Sequence, residues 1–91
     1  MSQTILVVDD SLVSRMMIKT IIESHVADAD IIEANSGAQA LERVDGNSGI
    51  DIAFVDFNMP GMTGLELISN LKNIITIPKM ALLTANIQDE I

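Results

Sequence analysis

An α/β domain built on a parallel sheet is the fold this sequence predicts, and three observations carry the prediction. Four short apolar runs occur, at residues 4–8, 31–32, 52–55 and 80–83. The segments between them repeat apolar residues at helical spacing. The first and third runs stop at aspartates, and turn-forming residues follow Asp56. Strands that alternate with helices in this way pair in parallel through right-handed crossovers.

Residues 4–8 (TILVV) are continuously apolar, as expected of a central strand covered on both faces. Asp9 and Asp10 close the run, and Ser11 offers an N-cap for the next helix. In that helix Leu12, Val13, Met16, Met17, Ile21 and Ile22 recur at helical spacing, with Arg15, Lys19 and Glu23 between them. The stripe is wide, so the helix is expected to be largely covered. His25, the only histidine, stands near its end, where an imidazolium complements the helix dipole.

Ile31 and Ile32, between Asp30 and Glu33, read as a short strand near the sheet edge. Asn35, Ser36 and Gly37 make a turn, and Ser36 caps a second helix with Ala38, Ala40, Leu41 and Val44 on a narrow apolar face. Residues 45–49 have turn chemistry throughout. The run 52–55 has the length and β-branched character of a buried strand and ends at Asp56. Pro60, Gly61 and Gly64 then force a turn. A third helix is expected over about 64–72, with Leu65, Leu67, Ile68 and Leu71 inward. Pro78 opens the last strand, 80–83, which leads into Thr84, Ala85 and Asn86. A polar element begins at Gln88.

Composition narrows the function classes. With 48% hydrophobic residues in 91, one small packed domain is expected. Thirteen acids against five bases give a net charge of −8, which argues against a nucleic-acid surface and favours cations. There is no cysteine, hence neither a disulfide nor a thiolate metal site. No apolar run has the length of a membrane span and no signal peptide is recognisable, so a cytoplasmic address is expected.

In a parallel sheet, Asp9 and Asp10, Asp56, and Thr84 share the carboxyl edge, where open α/β sheets build their sites. Three carboxylates together repel one another unless a cation or shared protons relieve them. Oxygen-only ligands suit a hard ion such as Mg²⁺, with Mn²⁺ the alternative. An aspartate beside such an ion, with a hydroxyl donor opposite, can act as a nucleophile toward phosphorus.

The motifs Val7-Val8-Asp9-Asp10-Ser11, residues 55–64 (VDFNMPGMTG) and Leu82-Leu83-Thr84-Ala85-Asn86 closely resemble the receiver domain of two-component response regulators, chemotaxis regulators among them. The resemblance runs along the whole chain, in order. It implies a flavodoxin-like, doubly wound sheet of strand order 2-1-3-4-5. It implies Asp56 as the phosphoacceptor, taking phosphate from a histidine kinase or phosphotransfer protein and switching a surface for an output partner of unknown identity. Asp10, Asp56 and the Asn58 backbone carbonyl would hold Mg²⁺ directly, and Asp9 mainly through water. Thr84 would act as the switch hydroxyl on the phosphoryl group, with the Ala85 amide alongside, and Asn58 and Asn86 occupy positions that tune dephosphorylation. Such a domain takes part in its own phosphorylation and dephosphorylation but is not otherwise an enzyme.

One departure from the family pattern is marked. Receivers continue into a fifth strand carrying a lysine and then a fifth helix, and this sequence carries neither, so residues 1–91 are expected to form a C-terminally incomplete receiver domain. Lys72 and Lys79 are expected on the side away from the acids. The fourth strand would be an exposed edge and part of the first helix would lose its cover, so a homodimer through those surfaces is expected. Two other readings stay open. One is a receiver-like scaffold without phosphotransfer activity. The other is a Mg²⁺-dependent phosphohydrolase, although such enzymes commonly place a general acid two residues beyond the nucleophile, where this chain has Asn58.

Overall fold

The computed structural model describes residues 3–46 and 49–83. In order they form β1 (Gln3–Val8), α1 (Leu12–His25), β2 (Ala29–Ala34), α2 (Gly37–Val44), β3 (Ile52–Asp56), α3 (Gly64–Ile74) and β4 (Lys79–Leu83). The four strands make one parallel sheet in the order β2-β1-β3-β4. This is the first part of the expected order, with β2 at an edge and β1 inside. β2 is longer than Ile31 and Ile32 alone, running from Ala29, just after Asp28 reverses the chain at φ 60°.

Alternation along β1 divides the core. Leu6 and Val8 join one cluster with Ala40 and Val44 of α2, Ala53 and Val55 of β3, Met59, and Leu67 and Leu71 of α3. Ile5 and Val7 join a second, smaller cluster with Ile22, against which Ile18 and Val26 pack. Helices therefore cover both faces of the sheet, and β1 is apolar at every position from Ile5 because both faces are buried.

Each helix starts where its cap stands. Ser11 accepts from the Ser14 amide at 3.3 Å, and Ser36 from the Gln39 amide at 3.1 Å. Thr63 and Glu66 form a reciprocal capping box, with the Glu66 amide donating to Thr63 Oγ1 at 3.2 Å and the Thr63 amide to Glu66 Oε1 at 2.9 Å. His25 lies in the last turn of α1, its Nδ1 2.9 Å from the Ile21 carbonyl oxygen.

Three expectations about helix faces are corrected. Leu12, Val13, Met16, Met17 and Ile21 are each more than half exposed, so α1 is not largely covered; only Ile22 is buried and Ile18 half-buried. The helix meets the sheet along Ile18, Ile22 and Val26, one turn-step round from the stripe that is richest in large apolar side chains. Leu65 of α3 is 57% exposed, because the inward positions are Gly64, Leu67 and Leu71 at three- and four-residue steps. Ala38 of α2 is likewise exposed, its inward face running through Gly37, Ala40 and Val44. No described helix is long and apolar enough to cross a membrane. The element expected from Gln88 lies outside the described residues.

Candidate functional site

Strand register builds the site. Val8 pairs with Val55 across the β1–β3 ladder, so Asp9 and Asp56 leave the sheet side by side at its carboxyl edge. Asp56 in turn pairs with Leu83, the last residue of β4. Asp9 is 7% exposed and Asp56 9%, whereas Asp10 stands in solvent. One carboxylate oxygen from each of Asp9, Asp10 and Asp56 lies within 4.8 Å of the others. A cleft of about 250 Å³ opens beside them, lined by Asp9, Asp56, Ser14, Met17, Ile18 and Leu83 among others.

The buried acids are held by backbone donors. The Ser11 amide donates to Asp9 Oδ1 at 2.9 Å, and the Asn58 amide to Asp56 Oδ1 at 3.2 Å. Asp9 is further fixed by its own amide, 3.1 Å from the Ala34 carbonyl oxygen, and by Arg15 Nη1, which donates to its carbonyl at 2.8 Å. The loop after Asp56 returns tightly. Phe57 N donates to Leu83 O at 2.8 Å, Gly61 turns at φ +85°, and Gly64 N donates to Phe57 O at 3.1 Å. A side chain at Gly64 would strike the Asp56 carbonyl oxygen and approach Phe57 Cα to 2.9 Å, so the helix can begin this close to the acid only at a glycine.

The Asp56 carboxyl is pushed above its ordinary value of 3.8, chiefly by burial. The Asn58 amide, which favours the ionised form, opposes this; the charges of Asp9 and Asp10 and a hydrogen bond shared with Asp10 add to the upward shift. Paired acids from two strand ends, partly desolvated and without His or Cys donors, match what a hard divalent cation requires: oxygen ligands and relief of mutual repulsion.

The expected acids are thus brought together, and the Asn58 amide is placed beside Asp56 while its side chain is exposed. Thr84 and Ala85 lie outside the described residues, as does Asn86. Lys79 is exposed and pairs with Ile52 at the opposite end of the sheet, and Lys72 is exposed in the last turn of α3. Arg15, a polar spacer in the sequence pattern of α1, is also part of the site's framework. Its i, i+3, i+7 spacing with Ile18 and Ile22 was the available signal that it faces the sheet.

Residues 5–91 match the sequence profile of the response regulator receiver domain. The chain belongs to this family. It is 38% identical over 69 residues to the chemotaxis protein CheY1 of Helicobacter pylori, an alignment covering 76% of this chain and 55% of that protein. The receiver chain therefore spans about half the length of the curated relatives it matches. Among solved structures, a response regulator receiver domain protein from Clostridium thermocellum superposes with a TM-score of 0.78 at 26% identity, over 90% of this chain and 64% of that one. A crystal structure of the P1 domain of CheA3 in complex with CheY6 from R. sphaeroides matches with a TM-score of 0.76 at 25% identity, over 91% of this chain and 64% of that one. The receiver fold in these matches is the flavodoxin-like arrangement, and the order β2-β1-β3-β4 agrees with it.

Proposed function

We propose that this receiver domain is a phosphoacceptor signalling module in which Asp56 takes a phosphoryl group from a histidine kinase or phosphotransfer protein. The observation that carries the reading is the convergence of Asp9, Asp10 and Asp56 at the carboxyl edge, with Asp56 buried and aligned with the end of β4. An Asp56 carboxylate oxygen attacks phosphorus, the P–N bond to the donor imidazole breaks, and an acyl phosphate forms as the imidazole leaves. Asp10, Asp56 and the Asn58 carbonyl would hold Mg²⁺ or Mn²⁺, with Asp9 contributing mainly through water. Bound there, the ion offsets repulsion between the anionic donor and the acids. The Asn58 amide orients the Asp56 carboxylate before reaction. Thr84 and the Ala85 amide are assigned to the phosphoryl oxygens by family resemblance.

The complex of CheY6 with the P1 domain of CheA3 supports a phosphotransfer domain as the partner class. The phosphohydrolase reading is disfavoured because the side chain two residues beyond Asp56 is the asparagine amide of Asn58, which does no acid–base work. Incubation with a small phosphodonor and Mg²⁺, followed by mass spectrometry, tests the assignment. The adduct is expected on Asp56 and absent from Asp9 and Asp10. Modification that survives Asp56→Asn would show the role to be misassigned, and a wholly unmodified wild-type chain would favour the scaffold reading.

A further inference from the structure

The loop that carries Asn58 meets the start of α2 at Met62. A Cβ built at Gly37, the first residue of α2, would lie 2.6 Å from Met62 Sδ, 2.9 Å from Met62 Cβ and 3.1 Å from Met62 Cγ. Met62 therefore occupies the space that any other residue at position 37 would fill. The thioether is also held from α3, where Asn70 Nδ2 lies 3.6 Å from Met62 Sδ. A cleft of about 620 Å³ opens beside the contact, lined by Ser36, Ala38, Pro60 and Gly61 among others. Met62 braces the loop there, on the far side of the loop from Asn58, while Met59 beside Asn58 is buried in the core. Four residues back along the same loop, the Asn58 amide donates to Asp56, and its carbonyl is the proposed metal ligand.

We infer that Met62, seated on Gly37, is a positioning residue for the Asp56 site: it pins the β3–α3 loop to the start of α2 and so holds the Asn58 backbone where it meets Asp56 and the cation. The metal half of this inference rests on the phosphoacceptor reading; the loop half does not. Flexibility of the methionine does not relieve a side chain at position 37, because the Met62 Cβ at 2.9 Å belongs to the loop's own backbone frame and moves only with it. Gly37→Ala, which would favour a helix by propensity alone, must here displace the loop.

The test compares the full chain with Gly37→Ala, Met62→Ala, Met62→Leu and the double alanine variant. Amide hydrogen exchange of the metal-free proteins is read at Asn58, Gly64 and the core residues Val7 and Val55, and Mn²⁺ affinity is read by electron paramagnetic resonance. Exchange at Asn58 and Gly64 is expected to accelerate in both alanine variants while Val7 and Val55 stay protected, the pattern of a local opening. Mn²⁺ affinity is expected to fall about 10-fold in the same variants, the low end of the loss when an outer support of a metal ligand is removed. Met62→Leu, which keeps the bulk, should behave as wild type. The double variant should lose no more than the worse single, since both act through one contact. Unchanged exchange at Asn58 and Gly64, equal acceleration in the core strands, or fully additive losses would overturn the inference. Wild-type protein that takes up no Mn²⁺, with the local exchange pattern present, would count against the phosphoacceptor reading and uphold the brace.

Discussion

Arg15 places Nη1 2.8 Å from the carbonyl oxygen of Asp9 while its Nε lies 3.3 Å from Glu33 Oε1. The side chain is only 14% exposed, so one guanidinium ties α1, the acid-bearing turn and β2 together in a largely dry place. Truncation strands the Asp9 carbonyl, and a buried group left without its partner costs about 1–3 kcal/mol. Arg15→Ala is expected to lose that much in urea unfolding. Glu33→Gln should lose less, because Glu33 is 34% exposed and partly screened pairs contribute about 0–1 kcal/mol. An Arg15→Ala midpoint equal to wild type would dismiss the clamp.

The pH dependence of stability follows from Asp56. Its folded pKa is raised above the ordinary 3.8, so the folded chain holds this proton more tightly than the unfolded chain. The resulting stabilisation is complete below the ordinary value and disappears as pH rises through the folded one. At neutral pH the ionised carboxylate beside Asp9 and Asp10 is a liability. Asp56→Asn should therefore melt above wild type at pH 7 without divalent ions, and the gap should close toward pH 3 to 4. A variant that melts lower at pH 7 contradicts this account.

Metal should act at the same place. Weak Mg²⁺ or Mn²⁺ binding is expected by calorimetry on wild type, with loss of the signal in Asp10→Ala. Binding to the folded state alone also raises stability, by about 2.7 kcal/mol when the free ion is 100-fold above its dissociation constant. Indistinguishable isotherms for the two proteins would remove Asp10 from the ligand set.

Association is expected through α1. Val13, Met16, Met17 and Ile21 line one apolar face of α1 and are 66%, 56%, 61% and 58% exposed. Apolar area removed from water contributes roughly 25 cal/mol per Å², so covering this face by a second copy is favourable. Sedimentation of the 91-residue chain should show mass rising with concentration, and Met17→Lys should abolish the rise. A monomer at every concentration, with a sharp and high melting transition, would show that the exposed face needs no cover.

Much of this molecule is readable from local chemistry. The runs at Thr4 and Ile52 form the inner strands β1 and β3, where apolar residues on both faces are covered, and the run at Met80 forms β4, whose apolar residues are half-buried. Ser11 and Ser36 begin the first two helices because each supplies an oxygen to an otherwise unpaired amide. Asp9, Asp10 and Asp56 are assignable to one edge from the sequence, since parallel strands send their carboxyl ends the same way.

Other properties belong to three-dimensional packing. In α1 two faces carry apolar residues, and periodicity ranks them by size; the sheet meets the narrower face of Ile18 and Ile22, on the side where Arg15 also reaches Asp9 and Glu33. Leu65 failed as an inward residue for the reason Gly64 succeeded: only a position without a side chain fits against the Asp56 carbonyl. The contact of Met62 with Gly37 joins residues 25 apart in sequence, and no spacing rule within either segment announces it. The raised Asp56 carboxyl likewise depends on burial and on neighbours from another strand. Local chemistry acts over a turn or a strand pleat; contacts between elements are decided by which surfaces the assembled sheet and its helices bring within a few ångströms.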